Sequence, residues 1–124
     1  MAVYVDALVD RGWVLYGRPV LSCHLFTDTL DLTDLHAMAQ VIGMERRWFQ
    51  LARSAPHYDL VRSRRDMAVR HGATELDRAA SVRVWRARRA LVARAARGAD
   101  GHAGDGFEPV EDARAQGQRQ LILL

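Results

Sequence analysis

The chain has 124 residues, which is enough for one domain of ordinary size and leaves no room for a second comparable core. Hydrophobic residues make up 49% and charged residues 27% of the chain, a balance typical of folded globular proteins and not of disordered ones. Because no apolar run approaches the roughly 20 residues that cross a bilayer and no secretion signal is recognisable, we expect a cytoplasmic protein without a membrane partner.

Two short apolar runs near the N-terminus predict buried strands. The first covers residues 2–5 and the second covers residues 20–26. Residues 7–19 contain two glycines and a proline, so they are interpreted as a loop. Because alternate residues share a face of a strand, we expect His24 and Asp28 to be neighbours on one face.

Apolar residues at helical spacing predict a first helix that begins near Asp31 or Thr33 and ends at Gly43. His36 lies in its first turn, where it can reach a neighbouring cleft or bond to the adjoining loop. Residues 46–51 predict a further helical turn. Residues 57–61, which follow Pro56, predict an extended segment that places His57 and Asp59 on one face.

The second half of the chain predicts two more helices and a tail. Motifs that resemble capping boxes begin at Ser63 and at Thr74, and Gly72 is placed to end the first of the two helices. The arginine-rich second helix, residues 75–97, has an apolar face made of Leu76, Ala80, Val84, Ala87 and Leu91. Residues 98–124 form a Gly/Asp-rich tail with an apolar end, which we expect to be mobile.

These elements predict a single α/β domain over residues 1–97. We expect a small sheet of two to four strands, at least partly parallel, because predicted strands and helices alternate along the chain. Three or four helices should cover the sheet, and the last should be the long arginine-rich one.

The positive charge is concentrated in one block. All 18 basic residues are arginine, and 11 of them lie within residues 62–97 against three acidic residues. Guanidinium groups pair bidentately with phosphate oxygens, so the block favours a nucleic acid or a phosphorylated small molecule as the partner. A solvated helix face in a protein that uses only arginine explains the block equally well.

Several short motifs follow one another in an order typical of a known family. They are residues 1–6, Gly17-Arg18, Cys23-His24-Leu25, Thr27-Asp28-Thr29, Leu35-His36-Ala37, Arg47-Trp48-Phe49, Pro56-His57-Tyr58-Asp59-Leu60 and Arg65 to Gly72-Ala73. Over roughly the first 75 residues the chain therefore resembles the bacterial and phage family catalogued as domain of unknown function 4031. The resemblance implies no substrate, and the arginine-rich helix and the tail lie outside it.

The shared motifs are rich in residue types that act in general acid–base catalysis and that bind Mg²⁺, Mn²⁺ or Zn²⁺. The candidate catalytic residues are His24, His36, His57 and Asp59. The candidate ligands for a divalent metal are Asp6, His24, Asp28, His57 and Asp59. Candidate residues for binding a phosphate or an aromatic base are Arg18, Arg62, Arg65 and Trp48.

Three functions remain open from the sequence. The first is binding of a nucleic acid or of a phosphorylated nucleotide-type ligand without catalysis. The alternative is a metal-assisted phosphodiesterase, nuclease or nucleotide hydrolase. A third is an interaction protein that forms a homodimer through residues 75–97.

Overall fold

The computed structural model describes residues 2–52 and 55–98, which form a mixed five-stranded sheet and three α-helices. The strands are β1 (Val3–Val5), β2 (Val9–Leu15), β3 (Arg18–Thr27), β4 (Tyr58–Val61) and β5 (Thr74–Glu75). The helices are α1 (Thr33–Val41), α2 (Arg62–Arg70) and α3 (Arg78–Gly98), and a short 3-10 turn lies at Arg46–Trp48. The predicted α/β fold with a partly parallel sheet and a long C-terminal helix is confirmed.

The long strand β3 organises the sheet. It pairs antiparallel with β1, with β2 and with β4. The parallel part of the sheet is the short pairing of β5 with β1. Most of the sheet is therefore antiparallel, although the alternation of strands and helices favoured parallel pairing.

The interpretation of residues 7–19 as a loop is wrong, because β2 lies within them and brings the number of strands to five. The glycines that indicated a loop have other roles. Gly12, with a φ of 79°, lies where the register between β2 and β3 shifts. Tyr16 and Gly17 both have positive φ and connect the two strands in a tight hairpin turn.

The first two helices agree with the sequence in extent, but α2 lacks the N-terminal cap that the sequence predicts. Oδ1 of Asp31 accepts a hydrogen bond of 2.9 Å from the backbone N–H of Thr33, where α1 begins, and Gly43 follows its end with a φ of 83°. Helix α2 begins at Arg62, before the expected cap, and no side chain caps it. Gly72, with a φ of 107°, follows the end of α2 as predicted.

The start of the last helix differs from the prediction. Thr74 and Glu75 form β5 beside β1, so they are not part of a helical cap. Helix α3 instead begins at Arg78, and Oδ1 of Asp77 accepts a hydrogen bond of 2.8 Å from the backbone N–H of Ala80. Asp77 therefore supplies the helix cap.

The apolar core lies on the side of the sheet that α1 and α2 cover. Strand residues Val5, Cys23 and Leu25 are fully buried there, together with Leu35 of α1 and Ala68 of α2. Burial raises the pKa of the Cys23 thiol to about 12, as expected for a cysteine that fills space in a core.

Helix α3 covers the opposite side of the sheet, through a face different from the expected one. The indole of Trp85 stacks on Phe26 with ring centroids 4.3 Å apart, and Nε of the buried Arg88 donates to the carbonyl oxygen of Thr29 at 2.9 Å. Trp85 follows Val84 of the expected face and lies about 100° further around the helix. The large aromatic surface of Trp85 decides which face docks, and the smaller residues of the expected face remain exposed or half-buried.

No helix within residues 2–52 and 55–98 is long and apolar enough to span a membrane. The predicted tail from residue 99 onward lies outside the described residues, and Gly98 is the last residue of α3.

Candidate metal centre

The pairing of β3 with β4 brings two histidines and one aspartate together. His24 on β3 lies opposite Asp59 on β4, and His57 comes two residues before Asp59. Residues two apart in an extended chain share a face, so His57 and Asp59 project from the same side of the sheet. One ligand atom from each of the three side chains lies within 4.8 Å of the other two. In the part of the chain that the structure describes, this is the one cluster of three potential metal ligands.

The distances within this cluster suit a shared ion. Nε2 of His57 lies 3.5 Å from Oδ1 of Asp59, and Nε2 of His24 lies 3.9 Å from the same oxygen. Ligand atoms on a tetrahedral zinc ion are about 3.3 Å apart when each bond is about 2.0–2.1 Å. Side-chain movements of about 1 Å or less therefore bring the three atoms to coordination distance.

Each of the three side chains is held by a polar partner on its outer side. Oδ2 of Asp6 lies 2.7 Å from Nδ1 of His24, and the carbonyl oxygen of Ala55 lies 2.7 Å from Nδ1 of His57. Both partners accept hydrogen bonds, so both imidazoles carry their proton on Nδ1 and direct an Nε2 lone pair inward. The side-chain amide of Gln50 donates to Oδ2 of Asp59, which leaves Oδ1 directed at the histidines.

Burial and hydrogen bonding shift the pKa values of His57 and Asp6 in this region. Burial lowers the pKa of His57 below its usual range, and the nearby Asp59 only partly opposes this effect. Burial works to raise the pKa of Asp6, but the hydrogen bonds from His24, together with the charge of Arg11, outweigh it and hold that pKa below its usual range. Asp6 therefore remains an acceptor for His24 at neutral pH.

Asp6 is fixed through both its side chain and its backbone. Its Oδ1 accepts a hydrogen bond of 2.7 Å from the backbone N–H of His24. Nε of Arg65 on α2 donates to its carbonyl oxygen at 2.9 Å, and Nη1 of Arg65 forms an ion pair with Glu75 at 3.0 Å. Arg65, a candidate phosphate ligand from the sequence, therefore positions Asp6 in this structure.

Trp85 of α3 lies over the cluster. Its ring meets those of His24 and His57 edge to face, with centroids 6.1 Å and 6.4 Å away. The side chains of His24 and His57 keep 25% and 14% of their surface exposed, and Asp59 keeps 7%. The indole thus shields the cluster without sealing it.

Two of the candidate site residues lie elsewhere. Asp28 is four residues beyond His24, about 13 Å along an extended chain, and the stacked Phe26 and Trp85 lie between them. Its Oδ2 accepts a hydrogen bond of 3.2 Å from Tyr4. The expectation that His24 and Asp28 are neighbours is wrong, because a shared face does not bring residues four apart on a strand into contact.

His36 belongs to the other side of the sheet. Its Nδ1 lies 2.7 Å from the hydroxyl oxygen of Tyr58, whose side chain alternates with those of His57 and Asp59. A cavity of about 930 Å³ lies there, lined by His36, Tyr58 and Arg46 among others. The structure therefore separates His36 from the other candidate catalytic residues.

The remaining candidate ligand-binding residues are not next to the cluster. Arg18 is exposed at the start of β3, about 20 Å along the strand from His24. Arg62 is exposed at the start of α2, beside a separate cavity of about 400 Å³. Trp48 is only 5% exposed and packs in the core, so its ring has no free face on which a base could stack.

Sequence reasoning missed several residues around the cluster. Arg11, Arg78 and Ser81 line a cavity that also contacts His24 and Trp85. Arg11 was missed because β2 was interpreted as a loop, and the other two because the docking face of α3 was misplaced. The sequence signals that could have located these residues are Gly12, at the register shift of β2, and Asp77, which caps α3.

The fold and this cluster define a class of protein: an α/β domain in which potential ligand atoms of two histidines and one aspartate converge. The chain belongs to the family described as Protein of unknown function (DUF4031), whose model matches residues 3–88. The match continues beyond the roughly 75 residues of the expected resemblance and includes Trp85 and Arg88 of α3. No curated protein and no solved structure is significantly similar to the chain.

Proposed function

We propose that the protein binds one divalent transition-metal ion through Nε2 of His24, Nε2 of His57 and Oδ1 of Asp59, and that this centre catalyses hydrolysis. The observation that carries the proposal is the convergence of these three atoms on one point. The other polar atoms of the three side chains all bond to surrounding residues. The three converging atoms make no hydrogen bond to any described residue, so hydrogen bonding within the fold does not explain why they converge.

Electrostatics supports a cation at this point. Two imidazole lone pairs directed at a buried carboxylate repel one another unless a positive charge lies among them. A metal ion satisfies all three atoms at once.

The types of ligand atom indicate which metal ions the centre would bind and whether their role is structural or catalytic. Imidazole nitrogen together with carboxylate oxygen suits Zn²⁺, Mn²⁺, Co²⁺ and Fe²⁺ better than Mg²⁺, which prefers oxygen alone. Structural zinc sites have four protein ligands, whereas catalytic sites have three and leave a position open for water or substrate. Three ligands with partial exposure therefore favour a catalytic centre.

Asp6 and Gln50 have supporting roles in this centre. Asp6 fixes the tautomer and the ring orientation of His24, and Gln50 orients the carboxylate of Asp59. A divalent ion held by His24, His57 and Asp59 would lower the pKa of a coordinated water toward neutrality and so provide a nucleophile. Trp85 limits the access of bulk water to the same space.

Titration of metal-free protein tests the proposal. Calorimetry with Zn²⁺, Mn²⁺, Co²⁺ and anaerobic Fe²⁺ should show one site per chain for at least one of these ions. His57→Ala should abolish that site, whereas His71→Ala, a control on an exposed histidine after α2, should retain it. Equal binding by the wild type and His57→Ala, or no binding by either, contradicts the proposal.

A second function, binding of a nucleic acid, is favoured by a separate feature of α3. Five exposed arginines lie within an arc of about 140° on the side of the helix away from the sheet. They are Arg83, Arg86, Arg89, Arg94 and Arg97. A continuous arginine face of this kind matches the phosphates of a nucleic acid backbone.

Salt dependence tests this second function. Binding of single-stranded and double-stranded DNA or RNA should weaken steeply as salt increases, because each phosphate contact releases counterions. The double variant Arg86→Glu, Arg89→Glu should bind at least tenfold more weakly. Arg70→Glu, which makes a charge reversal on the exposed end of α2, is the control. Unchanged binding by the double variant contradicts a role for the arginine face.

A further inference from the structure

A small cavity opens beside the metal cluster, between β2 and the first turns of α3. Its volume is about 310 Å³, and His24 and Trp85 form one side of it. The polar residues that line the rest include Arg11, Arg78 and Ser81. A molecule in this cavity would therefore lie within reach of an ion bound at His24.

Ser81 provides an independent indication of a ligand. The residue is only 4% exposed, and among the described residues its hydroxyl oxygen has no hydrogen-bond partner. A buried hydroxyl without a partner costs about 1–3 kcal/mol, so most are satisfied in folded proteins. Ser81 lines the cavity, where a ligand oxygen can accept its hydrogen bond.

The charge of the cavity indicates an anion. Nη1 of Arg11 bonds to the carbonyl and hydroxyl oxygens of Ser22 at 2.6 Å and 3.0 Å, which fixes its guanidinium beside the cavity. Arg78 has no ion pair with any described residue. Asp6 is the one acidic side chain among the lining residues; its carboxylate accepts hydrogen bonds from His24 and also interacts with the charge of Arg11. The two guanidinium groups outnumber this one carboxylate, so the cavity is lined by an excess of positive charge.

We propose that this cavity binds the phosphate group of a small phosphate monoester, with Ser81 and the two arginines contacting oxygens of the phosphate next to the metal. The proposal rests on the metal centre proposed above and names the substrate class of that centre. Together with the divalent ion, the two guanidinium groups exceed the charges of Asp6 and Asp59 by two, which matches the double charge of a monoester. The volume of the cavity suits a small molecule better than a polymer.

The reaction that follows is hydrolysis of the ester. A water oxygen forms a new bond to phosphorus while the bond from phosphorus to the ester oxygen breaks. The electron pair of that bond leaves with the alcohol, which takes one proton from the attacking water. The products are the alcohol and inorganic phosphate.

Binding of inorganic phosphate and hydrolysis of p-nitrophenyl phosphate by the metal-loaded protein test the proposal. Ser81→Ala and Arg78→Gln should each weaken phosphate binding and raise KM by about tenfold, the loss expected for one hydrogen bond to a charged group. Both variants should keep the metal affinity of the wild type, since neither residue belongs to the cluster. Arg70→Gln makes the same charge change on α2 and should behave as the wild type.

The results separate this proposal from the one on which it rests. If the wild type binds no metal, the metal centre fails and the substrate assignment fails with it. If the metal binds but Ser81→Ala and Arg78→Gln bind phosphate as the wild type does, only the phosphate site is overturned. Faster hydrolysis of bis(p-nitrophenyl) phosphate than of the monoester overturns the choice of a monoester. Circular dichroism of each variant shows whether the fold is retained.

Discussion

The two faces of the sheet differ completely, although the same strands build both. On the face covered by α1 and α2, Cys23, Leu25 and Leu60 are fully buried and make apolar contacts. On the face covered by α3, the alternating residues His24 and Asp59 form the cluster with His57. Alternation along a strand thus places the apolar core and the His/Asp cluster on opposite faces of the sheet. A substitution on one face should therefore leave the other face unaffected.

The two faces are also held in different ways. Helices α1 and α2 contribute several buried side chains to a continuous apolar core. Helix α3 contacts the sheet largely through the stacked Trp85 and the buried Arg88. Fewer buried apolar contacts imply a lower free energy of local opening, so α3 is suited to admit a ligand to the site that it covers.

The largest expected effect concerns stability. Leu25→Ala removes a fully buried side chain from the apolar face and should lower the free energy of unfolding by about 2–5 kcal/mol. His24→Ala in metal-free protein should cost less than about 1 kcal/mol, since it removes a ring that is 25% exposed and its one hydrogen bond, to Asp6. Urea unfolding of both variants measures the difference. Equal losses would show that the faces are not separable.

The next effect concerns metal affinity. Asp59→Asn keeps the shape of the side chain but removes the charge of one ligand, so metal affinity should fall by more than about 100-fold. Asp28→Asn makes the same change on the same face of the sheet. The side chain of Asp28 accepts a hydrogen bond from Tyr4 and is not part of the cluster. Calorimetry should show little change for this control. Comparable losses in both variants would place Asp28 in the site and refute the cluster as described.

A smaller effect is expected for the residue that orients His24. Asp6→Asn retains an acceptor for the backbone of His24 but weakens the hydrogen bond to its ring. Metal affinity should fall by about 10–100-fold, as is typical for a residue that orients a ligand. The same titration measures it, and an unchanged affinity would show that Asp6 has no positioning role.

The smallest effect is a change in the free energy of unfolding with pH, to which His36 on the apolar side of the sheet contributes. Burial, aided by Arg46, lowers the pKa of His36 below its usual range, so below about pH 6.5 the unfolded chain binds more protons at this residue than the folded protein does. The free energy of unfolding should therefore fall as pH decreases from there. Metal-free His36→Gln should show a shallower fall in urea unfolding at a series of pH values. An identical slope would mean that His36 does not contribute.

The sequence predicted the elements with a strong local signal. The helical period of α1 and the apolar run of β3 lie within short segments, and both elements are confirmed. Strand β2 was missed because Gly12 and Gly17 indicate a loop, whereas they serve a register shift and a hairpin turn. Both roles depend on how β2 pairs with β3, and no local sequence pattern indicates that pairing.

The candidate site was predictable only where its residues lie close together in the sequence. The residue types of the cluster and the shared face of His57 and Asp59 follow from the sequence. The position of His24 opposite Asp59 depends on the register between β3 and β4, and that of Trp85 depends on how α3 docks. Both are long-range contacts, so Asp28 and His36 could not be separated from the cluster by sequence alone.

The most direct test of the account is a crystal structure of the protein with Zn²⁺, in which anomalous scattering locates the ion. The account predicts one ion bound to Nε2 of His24, Nε2 of His57 and Oδ1 of Asp59, at about 2.0–2.2 Å from each. An ion bound elsewhere, or side chains of this cluster that leave Zn²⁺ unbound at saturating concentration, would contradict it.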